Sequence, residues 1–280
     1  ATPNRDEDSV AGRNNPNRPD RGARSRDGGR TRNLIAHSML EVCVDTLRGC
    51  EIAIEAGAQR IELSERLDVG GVTPSIELLR SVRSACELPL IVLIRNREGN
   101  FVYARNELDC MAAQARQAIQ LGADGIAVGA CDSQGELEWE FLARIAHESR
   151  SIVSTGSARA NFELVVHRVF DTVPDPQSSL ARLIELGYHR VLTSGGGKHA
   201  TDSLDSLKEW QQQHGEKITI LPAGGIHSGN AEFVMQSTGC RELHGSFTKS
   251  ESGLVTEFPQ PSEIRRVRAL MPNSANLSRL

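Results

Sequence analysis

Short apolar runs recur along the chain, each ending abruptly in polar or charged residues. The sharpest is Leu164-Val-Val-His-Arg-Val-Phe-Asp171, with Asp175-Pro176 four residues further on. Leu40-Glu-Val-Cys-Val-Asp45, Arg60-Ile-Glu-Leu-Ser64, Leu90-Ile-Val-Leu-Ile-Arg95 and Glu242-Leu-His-Gly-Ser246 follow the same rule. Runs of this length predict buried strands. Strands are expected to begin near Leu40, Arg60, Leu90, Gly125, Phe162, Arg190, Ile218 and Glu242. The steps between them are 20, 30, 35, 37, 28, 28 and 24 residues, about the span of one βα unit.

Helical spacing fills the intervals. Leu108, Met111, Ala112, Ala115, Ala118 and Ile119 make one apolar stripe, and Leu180, Leu183 and Ile184 begin another. Thr73-Pro74 and Asp175-Pro176 predict helix starts, an N-cap followed by proline in the first turn. Gly57, Gly122 and Gly187 stand where helices should end, and a last helix is expected from Glu263 to Leu270. Eight such alternations predict an α/β fold, a (β/α)8 TIM-type barrel formed as a single domain by residues 37–272. An open doubly wound sheet is the competing topology, but no GxGxxG follows the first strand. Ser151 to Ala160 is longer than its joint needs and predicts a surface insertion on the N-terminal side of the barrel.

Composition adjusts this picture at its edges. Residues 1–36 are rich in Arg, Asp, Asn, Gly and Pro, too polar to offset their ordering entropy, and predict a disordered tail. Residues 273–280 are expected to be a flexible C-terminus. Eight arginines face five acids in residues 1–33, so the net charge of -4 leaves -7 on the remainder. A negative folded part gives no strong nucleic-acid signal. No apolar run reaches the ~18 residues of a membrane span, and the polar start lacks a signal-peptide h-region, so a cytoplasmic location is expected. The six cysteines form no CxxC; scattered cysteines are mostly small buried hydrophobes.

Alternate residues of a barrel strand face inward. With Leu40, Val42 and Val44 toward the helices, Glu41, Cys43 and Asp45 face the interior. The same reading turns Arg60, Glu62 and Ser64 inward on the second strand, and Glu242, His244 and Ser246 on the eighth. The third strand ends in Arg95, the fifth in His167 and Arg168, the sixth in Thr193 and Ser194. Buried charges need partners. Glu41 and Glu242 lie early in their strands and suit either a structural ion network at the closed bottom or a site. Glu62, Arg95, His167 and His244 lie nearer the C-terminal ends, where barrel sites gather.

Several of these motifs, in this order, carry a family resemblance. They are Leu-Glu-Val-Cys-Val-Asp (40–45), Ala-Gly-Ala-Gln-Arg-Ile-Glu-Leu (56–63) and Gly-Gly-Val-Thr-Pro-Ser (70–75). Ile-Arg (94–95), Phe-Val-Tyr (101–103), His-Arg-Val-Phe-Asp (167–171), Arg-Val-Leu-Thr-Ser-Gly (190–195) and Glu-Leu-His-Gly-Ser (242–246) follow. From about Leu40 to Phe247 the chain resembles the CutC copper homeostasis protein family. The resemblance implies a TIM-type barrel, a cytoplasmic homo-oligomer and a role in copper homeostasis with copper as the ion handled. Two departures stand out. Ser64 occupies the position after Arg-Ile-Glu-Leu where the family usually has cysteine, so only Cys43 remains of the two cysteines proposed for copper. The family's Ile-Arg-Pro-Arg-Gly-Gly is here Ile94-Arg-Asn-Arg-Glu-Gly99.

Three functions follow as expectations. Copper could be held by Cys43 with His167 and His244. Alternatively, an enzyme or former enzyme acts on a small phosphorylated or carboxylate substrate at the barrel mouth. Arg95, Arg97 and Arg168 would then supply cationic forks. The loop positions Thr193, Ser194, Gly195, Gly224 and Gly225, with His244 and Ser246, lie where barrels bind anions through N–H groups. His167 would be the general acid or base, oriented by Glu62 or Asp171; a hydrogen-bonded core histidine is the plainer alternative. A scaffold role for the basic tail rests on composition alone.

Overall fold

The computed structural model describes residues 38–156, 161–248 and 256–272. The expected tail and C-terminus lie outside these residues. Within them eight strands alternate with helices: β1 (Met39–Val44), α1 (Leu47–Ala56), β2 (Arg60–Leu63), α2 (Ile76–Ala85), β3 (Leu90–Ile94), α3 (Arg105–Gln120), β4 (Gly125–Val128) and α4 (Trp139–Ser154). The second half holds β5 (Glu163–Val166), α5 (Pro176–Glu185), β6 (Arg190–Thr193), α6 (Leu204–His214), β7 (Thr219–Pro222), α7 (Ala231–Thr238), β8 (Glu242–Gly245) and α8 (Pro261–Leu270). Every ladder is parallel, in the order β7-β6-β5-β4-β3-β2-β1-β8. β7 and β8 also lie side by side, so the sheet curls into a nearly closed TIM-type barrel and the doubly wound alternative falls away. No helix among the described residues is long and apolar enough to cross a membrane.

The strands alternate as their sequences require. Leu40, Val42 and Val44 join Ile61, Leu63, Ile126 and Val166 in the layer shared with the helices. Ile91, Leu93, Ala127, Val165, Leu192, Leu221 and Ala223 form a second, separate cluster inside the barrel. They come from β3 to β7 only. The wall made by β1, β2 and β8 carries polar side chains instead, and its floor is an ion network. Arg60, fully buried, binds Glu41 through Nε and Glu242 through Nη2, the latter at 2.6 Å. Arg190 joins Glu242 at 3.1 Å and Glu163 beyond it. Burial pushes the Glu41 carboxyl up, but Arg60 and His244 together hold it well below the ordinary carboxylate range. Of the two readings of Glu41 and Glu242, the structure places both in this network.

Two local expectations are corrected. The second helix starts at Ile76, capped by Ser75 Oγ accepting from the Leu78 N–H at 3.3 Å. Thr73 is held elsewhere, since its Oγ1 accepts from the Arg95 N–H at 2.9 Å, a tie to the end of β3 that competes with capping. Ser151 to Ser154 is the last turn of α4 rather than an insertion, with Ile152 and Val153 packed on the core; residues 157–160 lie outside the described residues.

Removing one member of a buried ion pair leaves a charge without compensation, which costs about 3–5 kcal/mol. Arg60→Met leaves Glu41 with His244 alone and Glu242 with Arg190 alone. Urea denaturation is expected to show a loss of that order; a loss under about 1 kcal/mol would mean the network contributes nothing to the fold.

Candidate functional site

Above the ionic floor the same wall carries a cluster at the level of the strand ends. Parallel pairing sets Cys43 beside Glu62 and Glu41 beside His244. Because β8 is staggered against β1, the His244 ring reaches over toward β2. Its Nδ1 lies 2.7 Å from Glu41 Oε1 and its Nε2 lies 3.7 Å from Glu62 Oε2. Ligand atoms of Cys43, Glu62 and His244 all lie within 4.8 Å of one another, and all three residues are buried.

Electrostatics follow from this crowding. Burial raises the Cys43 thiol, with His244 opposing. Burial also lifts the Glu62 carboxyl to about 7, against the pull of His244. Burial disfavours charge on His244 too, yet Cys43, Glu62 and Glu41 outweigh it and raise the imidazole well above its ordinary value. Of the three, Glu62 is the one whose pKa is brought near neutrality.

The cluster opens into a cavity of about 810 Å³ at the C-terminal mouth. Cys43, Glu62, Arg95, His167, Arg168, Asp171, His244 and Ser246 all line it, so most of the candidate residues do meet in one space. Their roles differ from expectation. His167 does not join Cys43 and His244; the third cluster member is Glu62. His167 Nδ1 accepts the Val169 N–H at 3.1 Å, and its ring packs 5.0 Å from Phe101. Burial, aided by the Arg95 charge, lowers its pKa to about 3, so it is a neutral imidazole rather than a base poised near neutrality. Neither expected orienter serves it. Glu62 faces His244. Asp171 accepts from Ser194 N and Oγ, both at 2.9 Å, from Thr193 Oγ1, and from Arg168 Nε at 2.7 Å.

The arginines are likewise less open than isolated forks would be. Arg95 donates from Nη1 to Val69 O (3.0 Å) and Gly71 O (2.7 Å) and from Nη2 to Gly99 O (2.9 Å). It clips two loops over the mouth. Arg97 points away, paired with Glu107 at 2.7 Å and stacked on Tyr103, and does not line the cavity. Thr193, Ser194, Gly195, Gly224 and Gly225 stand behind the lining. Gly224 and Gly225 have positive φ, and a Cβ on Gly224 would come within 3.4 Å of Arg168 Nη1. Sequence reasoning missed Phe101 as the packing plate between Arg95 (5.2 Å) and His167. Its place beside Val102-Tyr103 after the arginine run was the available signal.

A parallel barrel with a buried thiol, carboxyl and imidazole at its mouth defines the class: a TIM-type barrel with a candidate metal centre and a sizeable cavity. The CutC family profile matches residues 38–249, and the chain belongs to the CutC family. It is 37% identical over 215 residues to a CutC protein of Caulobacter vibrioides, covering 76% of this chain and 83% of that one. A Homo sapiens protein named copper homeostasis protein cutC homolog is 36% identical over 208 residues, covering 74% of this chain and 72% of its own. Among solved structures, a CutC copper homeostasis protein from Streptococcus agalactiae superposes with a TM-score of 0.68 at 26% identity, over 75% of this chain and 98% of that one. A 3-keto-L-gulonate-6-phosphate decarboxylase from Vibrio cholerae, at 13% identity and a TM-score of 0.53 over 84% and 97%, shares the fold alone.

Glu62 yields a pH test with a defined sign. Its folded pKa of about 7 lies above the ordinary 4.5. Between those values the folded state binds a proton that the unfolded state releases, so this group's contribution falls as pH rises and levels off above 7. The groups facing it are His244, Cys43, Glu41 and Arg60. Glu62→Gln should therefore gain on the parent protein from pH 5 to pH 8, by about 1–3 kcal/mol. Urea midpoints at the two pH values measure it; an equal offset at both would refute the assignment.

Proposed function

We propose that the protein serves copper homeostasis by binding a copper ion at Cys43, Glu62 and His244. The observation that carries this reading is their convergence within 4.8 Å with His244 held from behind. Metal-binding histidines commonly donate their second ring N–H to a carboxylate, which fixes the tautomer and leaves the other nitrogen for the metal. Glu41 is that carboxylate, leaving Nε2 to face Glu62 and the Cys43 thiol. The donor set fits copper: thiolate favours Cu(I), imidazole suits either oxidation state, and carboxylate adds a harder ligand. The relatives named for copper homeostasis support the same ion.

Binding requires the protein to give up protons. Cys43 must become thiolate, Glu62 carboxylate and His244 neutral, so affinity rises with pH. Competition against a colorimetric Cu(I) chelator should show one ion per chain, held more tightly at pH 8 than at pH 6. Cys43→Ala should lower affinity about 100-fold or more, and Glu41→Gln about 10- to 100-fold through the lost His244 partner. Unchanged retention in Cys43→Ala would rule this centre out.

A second reading is favoured by one specific observation, the cavity's size. A single ion needs far less than about 810 Å³, a volume typical of small-molecule sites. On this reading the barrel is an enzyme, or a former one, that takes a small organic anion beside Arg95 and Arg168.

A further inference from the structure

Three residues that line the cavity each carry a buried polar atom with no hydrogen-bond partner among the described residues: Ser64 Oγ, Arg95 Nε and His167 Nε2. Each residue is more than nine-tenths buried, Ser64 at 0%, Arg95 at 7% and His167 at 3% exposure. An unsatisfied buried polar group costs about 1–3 kcal/mol. Three in one cavity form a pattern that packing alone does not account for.

Their orientation is imposed by the rest of each side chain. Arg95 is pinned through both terminal nitrogens to Val69, Gly71 and Gly99 carbonyls, which leaves Nε–H and one Nη2–H without a carbonyl. His167 accepts the Val169 N–H at Nδ1, which puts the ring proton on Nε2. Phe101 lies against both, 5.2 Å from Arg95 and 5.0 Å from His167, and sets their separation. Ser64 ends the β2 wall under Gly71, where a Cβ would lie 3.1 Å from its hydroxyl and 2.8 Å from Leu93. Glycine is required there by space as well as by its φ of 82°. Gly71 packs close to the hydroxyl on one side and offers it no side-chain partner.

Two of these atoms can only donate, and the third can donate. Their ligand must present acceptor oxygens, and the Arg95 charge selects a negative one. The cavity limits how negative. Asp45, Glu62, Asp68, Asp171 and Glu257 line it against Arg95, Arg168 and His244, an excess of acids that disfavours a phosphate dianion and admits a single carboxylate. We infer that Ser64, Arg95 and His167 form a receptor for the carboxylate of a small organic acid, seated beside the Cys43–Glu62–His244 cluster. The assignment rests on the second reading above, that the cavity takes a small organic anion, and it replaces an expected base with a neutral donor.

Isothermal titration of the whole chain with acetate, pyruvate and lactate, and with inorganic phosphate for comparison, tests it. At least one monocarboxylate should bind at millimolar concentration or better and phosphate should bind more weakly. Ser64→Ala and His167→Phe should each weaken the carboxylate about 10-fold or more, the loss of one hydrogen bond to a charged group. Ser64→Ala removes one oxygen atom and keeps the test open should His167→Phe misfold. Carboxylate binding that both variants leave intact would overturn this receptor while the small-anion reading stood. Phosphate binding in preference to every carboxylate would also overturn it. No binding of any probe to the parent protein would remove both.

Discussion

Arg60 cannot be buried at 0% exposure without two carboxylates, and much of the barrel follows from that demand. Glu41 answers it with one oxygen and receives His244 with the other. The ring that faces the cavity is thereby aimed by the charge that closes the floor. Stability and site geometry share a single carboxylate. An aliphatic trio at positions 41, 60 and 242 would pack the floor at no electrostatic cost, and buried ion pairs often gain stability when so replaced. Such a replacement would also release His244 to rotate and would leave only Cys43 and Glu62 to favour its protonated form.

The interior is divided lengthwise, and the division makes the cavity what it is. The strands from β3 to β7 contribute an aliphatic wall that includes Ala127 and Ala223, too short to reach across to β1. The facing wall brings Cys43, Glu62 and His244. Charges between an aliphatic wall and a polar one interact more strongly than in water. Arg95 beside a buried imidazole is then enough, together with burial, to keep His167 neutral. A neutral histidine fixed by Val169 N–H is a hydrogen-bond donor of defined direction, the use that barrel enzymes make of imidazoles near developing oxyanions.

Period-two alternation was enough to place Glu41, Cys43, Asp45, Arg60, Glu62, Ser64, Glu242, His244 and Ser246 inside, because the helix-facing residues between them are uniformly aliphatic. Alternation does not state register. Only the stagger of β8 against β1 sets Glu41 opposite His244, and no local signal in either strand carries that offset. Hence His167, a strand-end histidine like His244, was grouped with Cys43, while Glu62 took its place in the structure. Arg95 and Arg168 line the cavity as alternation implies, but Arg95 is less open than an isolated fork for a related reason. Three of its five guanidinium donors go to the loop carbonyls of Val69, Gly71 and Gly99, and carbonyls are invisible to a reading based on side chains. Thr73 misled in the same way, drawn from a capping role to the backbone of Arg95.

Position 64 joins the two halves of the site. It follows Glu62 by two residues and so lies on the same wall, one step nearer the mouth. A thiol there would add a second soft donor beside Cys43 and complete a bis-thiolate pair of the kind Cu(I) prefers. The hydroxyl that this chain carries is a poor ligand for that ion but a good donor to a carboxylate. Since Ser64 Oγ has no partner among the described residues, its presence is not explained by the folded protein's own bonding. On the copper reading, the serine would leave mixed rather than soft donors, Cys43 with His244 and Glu62. It also adds a third donor to the pair that Arg95 and His167 already present. Were both readings to hold, copper and a small acid would be neighbours, because Cys43, Glu62 and His244 line the same cavity as Ser64, Arg95 and His167.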